Sequence, residues 1–432
     1  MPVDEKLLAA LKQRAANTIP REYEYLAQFQ QENEQRWLRA DENIVGVGLG
    51  RDVNRRPAIQ FTCMPRELTQ QEQEDVGSFS NRDLIPPSVI EIVDKLRQEE
   101  AKRIRGLNLP PDVDPESVKR VRYAEPLVTG QFEDLLFRDD NSVGISPDLR
   151  DGPSDEIDTK IHDPGLNGEP DASQAKTVDP SVDIAAADFD VDIEEPDFVI
   201  ARIQSRDLLP SRGIGGSKII VNAFNNGYGT LGVGCRDDDR HHYILSNMHV
   251  LGEKDNNTGV ISIGDSEEVS MEPFQANDFT IGETHSGPDV YPKEGDYYPV
   301  NYVDAAIARV DSIEFGNREI QWSGYPVGLQ DSPSPGDFVQ KTGAGSGYTT
   351  GEILMVNVTT EVRVLNQTCV FASQIVMTDI AEPGDSGSVV LNAEKQISGL
   401  IFAIACDDFA PCFAIANNAG LVQAALNIIL DD

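Results

Sequence analysis

Apolar side chains in the first part of the chain recur at helical spacing and then at strand spacing. Leu7 and Leu11 lie on one helical stripe, and Leu26 and Phe29 continue this spacing on a second helix. The later predicted elements are strands over residues 44–48 and 58–61, a helix over residues 87–105 and a strand over residues 118–124. Helices and strands of this kind predict a small α+β domain.

The next segment loses the apolar periodicity and is strongly acidic. From Asp139 to Asp197 the sequence contains 18 acidic and 3 basic residues, with prolines and glycines throughout. Such a composition cannot bury enough apolar surface to offset the entropy cost of ordering the chain. We therefore predict a largely disordered acidic linker over residues 131–206.

One part of this linker has the alternation of a strand. Phe189, Val191 and Ile193 alternate with aspartates, a pattern that can add an extended strand to the edge of a sheet. One hypothesis is that residues 186–196 dock on the following domain and restrain access to its cleft. The simpler alternative is a solvated acidic tether.

After residue 207, short apolar runs separated by turn residues are typical of strands. The run Tyr243–Leu245 predicts a buried strand that ends shortly before His249, and Ala305–Ala308 predicts another that begins after Asp304. Both side chains would then be carried to strand ends, where a cleft can form. Burial at such a cleft makes a carboxylate a strong partner for an imidazole.

The stretch Gly384-Asp385-Ser386-Gly387-Ser388 follows His249 and Asp304 in the order His, Asp, Ser. A serine nucleophile needs an imidazole to accept its proton and a carboxylate to orient that imidazole. Glycines on both sides of Ser386 allow a sharp turn, so the amides of Gly384 and Ser386 can converge on a developing oxyanion. Taken singly, each motif has a structural explanation as a turn or a buried histidine. Their joint order predicts a serine hydrolase.

These motifs resemble those of the trypsin-like serine peptidases, the chymotrypsin-fold clan, and in particular an intracellular bacterial and plant branch that includes the plant narrow-leaf proteins. The resemblance covers about residues 207–432. The other matching segments are Gly229–Gly232, Ser246–Val250, Asp304–Ile307, Lys341–Gly343, Gly347–Gly351 and Phe413–Ile415. The resemblance implies an all-β domain of two barrels with the active site between them, and endopeptidase activity.

Carried over residue by residue, the resemblance makes His249 the general base, Asp304 the orienting carboxylate and Ser386 the nucleophile. Gly384, together with Ser386, would supply the amides of the oxyanion hole. Proteolytic activation through a new amino terminus at Ile214, paired with the aspartate before the nucleophile, is a minor alternative. We expect local amides to hold that aspartate instead.

The specificity pocket departs from that of trypsin. Ile380 stands where trypsin has an aspartate at the base of the pocket, and Phe402, Ala403 and Ile404 belong to an apolar strand expected to form its wall. An extended substrate should pair with the edge of this strand, and the pocket should favour an apolar side chain. Nearby aspartates keep a basic side chain as the second choice.

Charge excludes several other classes of function. The 432 residues include 36 basic and 73 acidic side chains, a net charge of −37, which repels phosphate backbones and anionic lipid. The first ten residues are partly charged, so we expect no targeting segment, and no apolar run approaches the ~20 residues of a bilayer span. The expected partner is a protein or peptide substrate, with neither nucleic acid nor membrane involved.

The cysteines are few and lack metal-site spacing. Cys63, Cys235, Cys369, Cys406 and Cys412 form no CxxC pair, so neither a disulfide framework nor a zinc site is predicted. The last two could close a hairpin beside the specificity pocket, but two free thiols are favoured in a reducing compartment. We predict a cytoplasmic protein that needs no metal and no cofactor.

The predicted organisation is an amino-terminal α+β domain over residues 1–130, the acidic linker over 131–206, and a trypsin-like all-β two-barrel domain with a carboxy-terminal helix over 207–432. The predicted function is a serine endopeptidase that works through an acyl-enzyme intermediate. The competing interpretation is an interaction or signalling protein whose peptidase domain acts only on itself or on one dedicated partner. The sequence leaves the oligomeric state open.

Overall fold

A computed structural model describes residues 5–69, 80–107, 119–135, 214–221, 223–224, 227–271, 279–295, 299–310, 312, 314–407 and 410–430. Most of the predicted acidic linker, including the strand-like residues 186–196, lies outside the described residues. Its disorder and its docking on a neighbouring domain therefore stay predictions.

The helices lie mainly in the amino-terminal region. They are α1 (Glu5–Asn17), α2 (Glu24–Leu38), α3 (Asn81–Leu84), α4 (Pro87–Gly106), α5 (Met248–Leu251) and α6 (Ala419–Leu426), and a 3-10 turn at Arg21–Tyr23 precedes α2. Pro87 is the first residue of α4, where its fixed φ favours the helix and its missing N–H costs no hydrogen bond. The three long helices predicted before residue 107 are all present.

Strands make up most of the remaining described chain. The strands before residue 250 are β1 (Ile44–Arg51), β2 (Pro57–Cys63), β3 (Leu127–Val128), β4 (Phe132–Asp134), β5 (Lys218–Val221), β6 (Gly229–Thr230), β7 (Val233–Arg236) and β8 (His242–Ser246). Those that follow are β9 (Glu253–Lys254), β10 (Ile261–Ser262), β11 (Glu268–Met271), β12 (Phe279–Ser286), β13 (Val300–Asn301), β14 (Ala306–Val310), β15 (Phe338–Gly343), β16 (Gly347–Val364), β17 (Gln367–Thr378), β18 (Val389–Asn392), β19 (Ile397–Asp407) and β20 (Ala410–Asn418).

Two large sheets organise the described residues. The smaller has the strand order β6-β5-β11-β12-β14-β8-β7 and is antiparallel throughout. The larger has the order β13-β17-β20-β19-β18-β15-β16-β1-β2-β3, and β4 pairs with both β16 and β19. The carboxy-terminal region is thus built on two β-sheets, which confirms the predicted all-β fold class with helices concentrated before it.

The amino-terminal strands extend the larger sheet. β1 pairs antiparallel with β2 and with β16, where Gly46 lies opposite Thr360. A Cβ atom on Gly46 would lie 2.5 Å from the Thr62 side chain, so this crossing needs glycine. The domain boundary at residue 130 stays a prediction, because strands on both sides of it share one sheet.

A helical layer covers these amino-terminal strands. Trp37 of α2 is 2% exposed and packs edge-on against Phe61, with 5.5 Å between ring centroids. Separately, Leu11 of α1 belongs to a buried cluster with Leu421 and Val422 of α6. The apolar stripe predicted for the first helix therefore packs against the carboxy-terminal helix, at the far end of the sequence.

Two sequence assignments differ from the structure. Of the strand predicted over residues 118–124, the described part forms only a single bridge, between Tyr123 and Ile59. Phe132–Asp134, which we assigned to the beginning of the linker, forms β4. In both cases the residues pair with strands that are distant in sequence. The local pattern of apolar residues does not indicate such pairing.

The two cysteines near the end of β19 correct another expectation. Cys406 and Cys412 form a disulfide, whereas two free thiols were favoured. The pairing of β19 with β20 brings them face to face across a hairpin, with Ala405 opposite Phe413. Disulfides are typical of oxidising compartments, so the cytoplasmic location stays a prediction. Every described helix is too short or too polar to cross a bilayer.

Candidate active site

The pairing of β14 with β8 brings two of the predicted site residues together. Ala306 lies opposite Ser246, so Asp304 and His249 are delivered from the same end of two neighbouring strands. His249 lies on the single turn α5 directly after β8, and its Nδ1 is 2.6 Å from Asp304 Oδ2. The amide of His249 also donates to Asp304 Oδ1 at 3.1 Å. Both carboxylate oxygens are therefore engaged by one residue.

Ser386 completes a continuous line of contacts. Its Oγ is 2.7 Å from His249 Nε2, and the side chains of Ser386, His249 and Asp304 are fully buried. Since Nδ1–H donates to the carboxylate, Nε2 is the nitrogen that accepts from the serine hydroxyl. The structure thus brings together three side chains that are far apart in sequence.

Two asparagines that sequence reasoning missed fix the carboxylate residue. Asp304 donates its amide to Asn417 Oδ1 at 2.8 Å, and Asn417 Nδ2 donates back to the Asp304 carbonyl at 3.0 Å. Asn247 Nδ2 donates to the same carbonyl at 2.7 Å. These contacts hold the backbone of Asp304 from both sides. Asn247, directly between Ser246 and Met248 in the histidine motif, was visible in the sequence, but Asn417 gave no signal.

The turn that carries the nucleophile depends on two glycines. Gly384 and Gly387 have φ of +100° and +95°, a region that residues with a Cβ rarely adopt. A Cβ on Gly387 would also lie 2.3 Å from the carbonyl oxygen of Thr230. The Ser386 carbonyl accepts from the Thr230 amide at 2.7 Å, so the turn is bonded to the smaller sheet.

Asp385 is held in a buried polar network. Its carboxylate accepts from the amides of Gly345, Ser346 and Glu382 at 2.9 to 3.1 Å, of which only Glu382 is one of the local amides that we expected. It also forms an ion pair with Lys341 at 2.6 Å, and both side chains are fully buried.

Lys341 is a third residue that sequence reasoning missed, although its Lys-Thr-Gly segment was noted. It occupies the place in which an activating amino terminus would have to bind Asp385. Ile214, the residue of the alternative activation site, lies instead in a local turn where its carbonyl accepts from the Ser217 amide at 3.1 Å. In the described residues, the positive charge that pairs with Asp385 is therefore the side chain of Lys341.

The predicted pocket residues are divided between two buried clusters. Ile380 and Ile404, 1% and 6% exposed, belong to one buried cluster, and Leu135 is a member of the same cluster. Phe402 and Ala403 belong to the other large cluster, where Phe402 packs against Phe371 at 4.9 Å. The four predicted pocket residues therefore do not share one buried cluster, and Ile380 and Ile404 are the two that do.

The strand edge expected to bind substrate is already paired. Glu133 and Asp134 of β4 lie opposite Ile404 and Ala403 of β19 in antiparallel register. The amide of Gly384, the predicted oxyanion donor, donates to the carbonyl oxygen of Leu135 at 2.6 Å. A segment of the chain itself thus lies in the predicted substrate cleft.

A separate acidic turn lies before β8. Asp237, Asp239 and His241 offer ligand atoms within 4.8 Å of one another, and the latter two are exposed. Burial raises the pKa of Asp237, but hydrogen bonds from His241 and Tyr243 outweigh it and lower the pKa to about 2. The carboxylate already caps its own turn, since it accepts from the His241 amide at 2.9 Å.

Comparisons with known proteins give structural likeness only. Neither a scan of protein-family models nor a search of curated proteins finds a match. Among solved structures, the chain is similar to Protease A of Thermobifida fusca, with 18% identity, a TM-score of 0.34 and coverage of 50% of this chain and 97% of that one. Nocardiopsis protease (18% identity, TM-score 0.33, coverage 51% and 99%) and Cellulomonas bogoriensis chymotrypsin (19%, 0.34, 50% and 97%) are similar to the same extent.

Proposed function

We propose that this protein is a serine endopeptidase that hydrolyses peptide bonds through an acyl-enzyme intermediate. The observation that carries the proposal is the continuous contact from Asp304 through His249 to Ser386, with 2.6 Å and 2.7 Å between successive polar atoms. All three side chains are buried, so their interactions are strengthened by a low dielectric. A buried carboxylate, imidazole and hydroxyl in this order are the functional parts of a serine nucleophile.

The proton path follows from these contacts. As Ser386 Oγ attacks a substrate carbonyl, its proton passes to His249 Nε2, and Asp304 stabilises the imidazolium that forms. The same imidazolium then protonates the leaving amine. Water, activated by neutral His249, hydrolyses the acyl-enzyme in the second half of the reaction.

The turn of the nucleophile supports the negative charge of the intermediate. Gly384 has the positive φ that turns its amide toward the cleft, and that amide already binds a carbonyl oxygen at 2.6 Å. We assign the amides of Gly384 and Ser386 as the donors that stabilise the oxyanion. A single donor of this kind is worth roughly 10²–10³ in kcat.

A fluorophosphonate probe tests the nucleophile. The probe should label the wild type, and Ser386→Ala should abolish both labelling and peptide hydrolysis, with a loss in kcat of at least about 10³-fold. Ser388→Ala is the matched control, because Ser388 is a second buried hydroxyl in the same turn that bonds the Asp385 carbonyl at 2.6 Å. Labelling that survives in Ser386→Ala and disappears in Ser388→Ala would refute the assignment.

The second candidate function is a peptidase domain dedicated to its own chain or to one partner. The observation that favours it is the occupation of the cleft by β4 and Leu135. Hydrolysis of casein separates the two candidates, since a general peptidase digests it at a rate comparable with that for short peptides. Labelling of Ser386 without casein turnover supports the dedicated enzyme.

A further inference from the structure

The segment Phe132–Leu135 lies in the cleft as a bound substrate strand would. It runs antiparallel to β19, and the amide of Leu135 donates to the Phe402 carbonyl at 3.4 Å. The Leu135 carbonyl oxygen accepts from the Gly384 amide at 2.6 Å. A peptide whose carbonyl carbon is to be attacked must place its oxygen at this donor and its strand along this edge.

The side chain of Leu135 is buried in the apolar core that also contains two of the predicted pocket residues. It is fully buried and shares a cluster with Ile380, Ala381 and Ile404. Ile380, the predicted base of the pocket, and Ile404 are two of the four residues on which an apolar specificity was predicted, whereas Phe402 and Ala403 belong to the other large cluster. Burial of a leucine side chain contributes about 1.5–3 kcal/mol, enough to select the register of the strand.

The preceding residues fix the segment from its other edge. The carboxylate of Asp134 accepts from the Leu365 amide at 2.6 Å, and Glu133 forms an ion pair with Arg363 at 3.5 Å. Phe132 is fully buried in the cluster that contains Phe402. The segment is thus bound between β16 and β19 along its whole length and not merely in contact with the surface.

The close approach of the preceding turn fixes the register. A Cβ on Gly130 would lie 2.2 Å from the Cys406 carbonyl oxygen, so glycine is needed where the segment enters the cleft. A shift of one residue that moves Asp134 to the position of Leu135 would bury a charged side chain in apolar surroundings, so register in that direction is strongly disfavoured.

We infer that this chain is its own substrate and is cleaved at the peptide bond that follows Leu135. The inference rests on the proposed function, and it names the first substrate of the proposed peptidase. Ser386 Oγ bonds to the Leu135 carbonyl carbon, the bond from that carbon to the next amide nitrogen breaks, and His249 carries the serine proton to that nitrogen. Water then releases Leu135 as a free carboxylate and restores Ser386.

Cleavage would leave the two pieces bound to each other. The amino-terminal piece keeps the pairing of β1 with β16, of β4 with β16 and β19, and the packing of α1 on α6. The new carboxylate of Leu135 would stay near the Gly384 amide until the segment leaves the cleft. The mature enzyme is then a two-piece protein whose own product competes with other substrates.

Mass spectrometry of the purified full-length protein tests the inference. We expect the wild type to yield an amino-terminal fragment that ends at Leu135, and Ser386→Ala to remain one chain. Leu135→Asp places a charge in this apolar core and should slow the cut at least about 100-fold. Val53→Asp, the same kind of change at a residue that is 89% exposed, is the matched control and should be cut like the wild type.

A peptide assay distinguishes failure of this inference from failure of the proposed function. The substrate is a blocked Phe-Glu-Asp-Leu peptide with a fluorogenic amide, compared with the same peptide ending in Lys. Hydrolysis of the Leu peptide at least about 10-fold faster, together with the cut after Leu135, supports the inference. If the enzyme hydrolyses the peptides but stays intact, or cuts itself elsewhere, self-processing is refuted and the peptidase stands. If neither the wild type nor Leu135→Asp hydrolyses a peptide or reacts with fluorophosphonate, the proposed function itself fails.

Native size-exclusion chromatography tests whether the two pieces stay bound to each other after the cut. The cut protein should elute as one species that separates into two bands only under denaturing conditions. Elution of two species from the native column would show that the shared sheet does not hold the pieces together.

Discussion

At the scale of single residues, the site depends on how each reacting group is held. Asp304 engages both the amide and Nδ1 of His249, while two asparagines bind its own backbone. The carboxylate therefore selects the imidazole tautomer in which Nε2 accepts the serine proton. Geometry and protonation state are set by the same few hydrogen bonds.

Asp304→Asn tests this role. The amide can occupy the same space, but its NH₂ group can favour the wrong tautomer of His249, so kcat should fall by about 10³–10⁴-fold. KM should change little, because the residue does not contact the substrate-binding strand. Steady-state kinetics on the Leu peptide measure both constants. An unchanged kcat would contradict the assignment of Asp304.

The Lys341–Asp385 pair gives a prediction about stability. Lys341→Met leaves a fully buried carboxylate without its cation and should lower the free energy of unfolding by about 3–5 kcal/mol. Urea unfolding followed by circular dichroism measures the loss.

The double variant Lys341→Met with Asp385→Asn is the control for that loss. It removes both charges and should recover a substantial part of the stability, since a neutral pair leaves no buried charge uncompensated. Equal instability of the single and double variants would show that the ion pair has no special role.

At the scale of elements, the long strands β16 and β19 set both the substrate edge and the attachment of the amino-terminal region. β16 pairs with β1 near Thr360 and with β4 near Val362. This one strand thus contacts the helical layer through Glu34, the substrate-like segment through Phe132, and the core of the larger sheet. The contacts between α2 and β16 are therefore relevant to the cleft as well as to stability.

Glu34 of α2 gives a pH-dependent prediction for this contact. Desolvation raises its pKa, although hydrogen bonds from Thr359 and Gln30 partly oppose the shift. A carboxyl with a raised pKa in the folded state stabilises less as pH increases through that pKa, because the unfolded chain ionises more easily. Glu34→Gln should therefore be more stable than the wild type at pH 7, and the difference should shrink near pH 4.

Urea unfolding at the two pH values measures this difference. Glu32→Gln, an exposed change on the same helix, is the matched control and should show little dependence of this kind. A stability difference for Glu34→Gln that is the same at both pH values would rule out ionisation as its cause.

At the scale of the whole molecule, the continuous sheet couples the amino-terminal region to the carboxy-terminal strands. β2, β1 and β16 are successive neighbours, and Trp37 of the helical layer packs on Phe61 of β2, so loss of this layer would expose the apolar face of the sheet. The disulfide at Cys406 and Cys412 closes the hairpin beside the cleft in the same sheet. We expect these parts to unfold together.

Trp37 reports on this coupling. The chain has two tryptophans, and Trp322, 52% exposed, can be replaced in Trp322→Phe so that Trp37 is the sole fluorophore. Fluorescence of Trp37 and hydrolytic activity should then be lost at the same urea concentration, as in two-state unfolding. A fluorescence transition that is complete while activity persists would show that the helical layer unfolds alone.

The sequence by itself determined the helices before residue 107, the strands on each side of the histidine and aspartate motifs, and the three residues of the candidate triad. The spacing of apolar residues shows whether a helix or strand has a buried face. The glycines on both sides of Ser386 indicate a sharp turn, which is also a local property of the chain. His249 and Asp304 could be proposed because each stands at the end of an apolar run.

Only the tertiary structure decided the remaining parts of the site. The bond from Asn417 to Asp304, the pairing of Lys341 with Asp385 and the position of Leu135 at the Gly384 amide all join residues at least 40 positions apart. Such contacts depend on which strands become neighbours, and many registers suit the same alternating pattern. The sequence could suggest Ser386 as a nucleophile, but only strand pairing could show that Leu135 lies against the Gly384 amide.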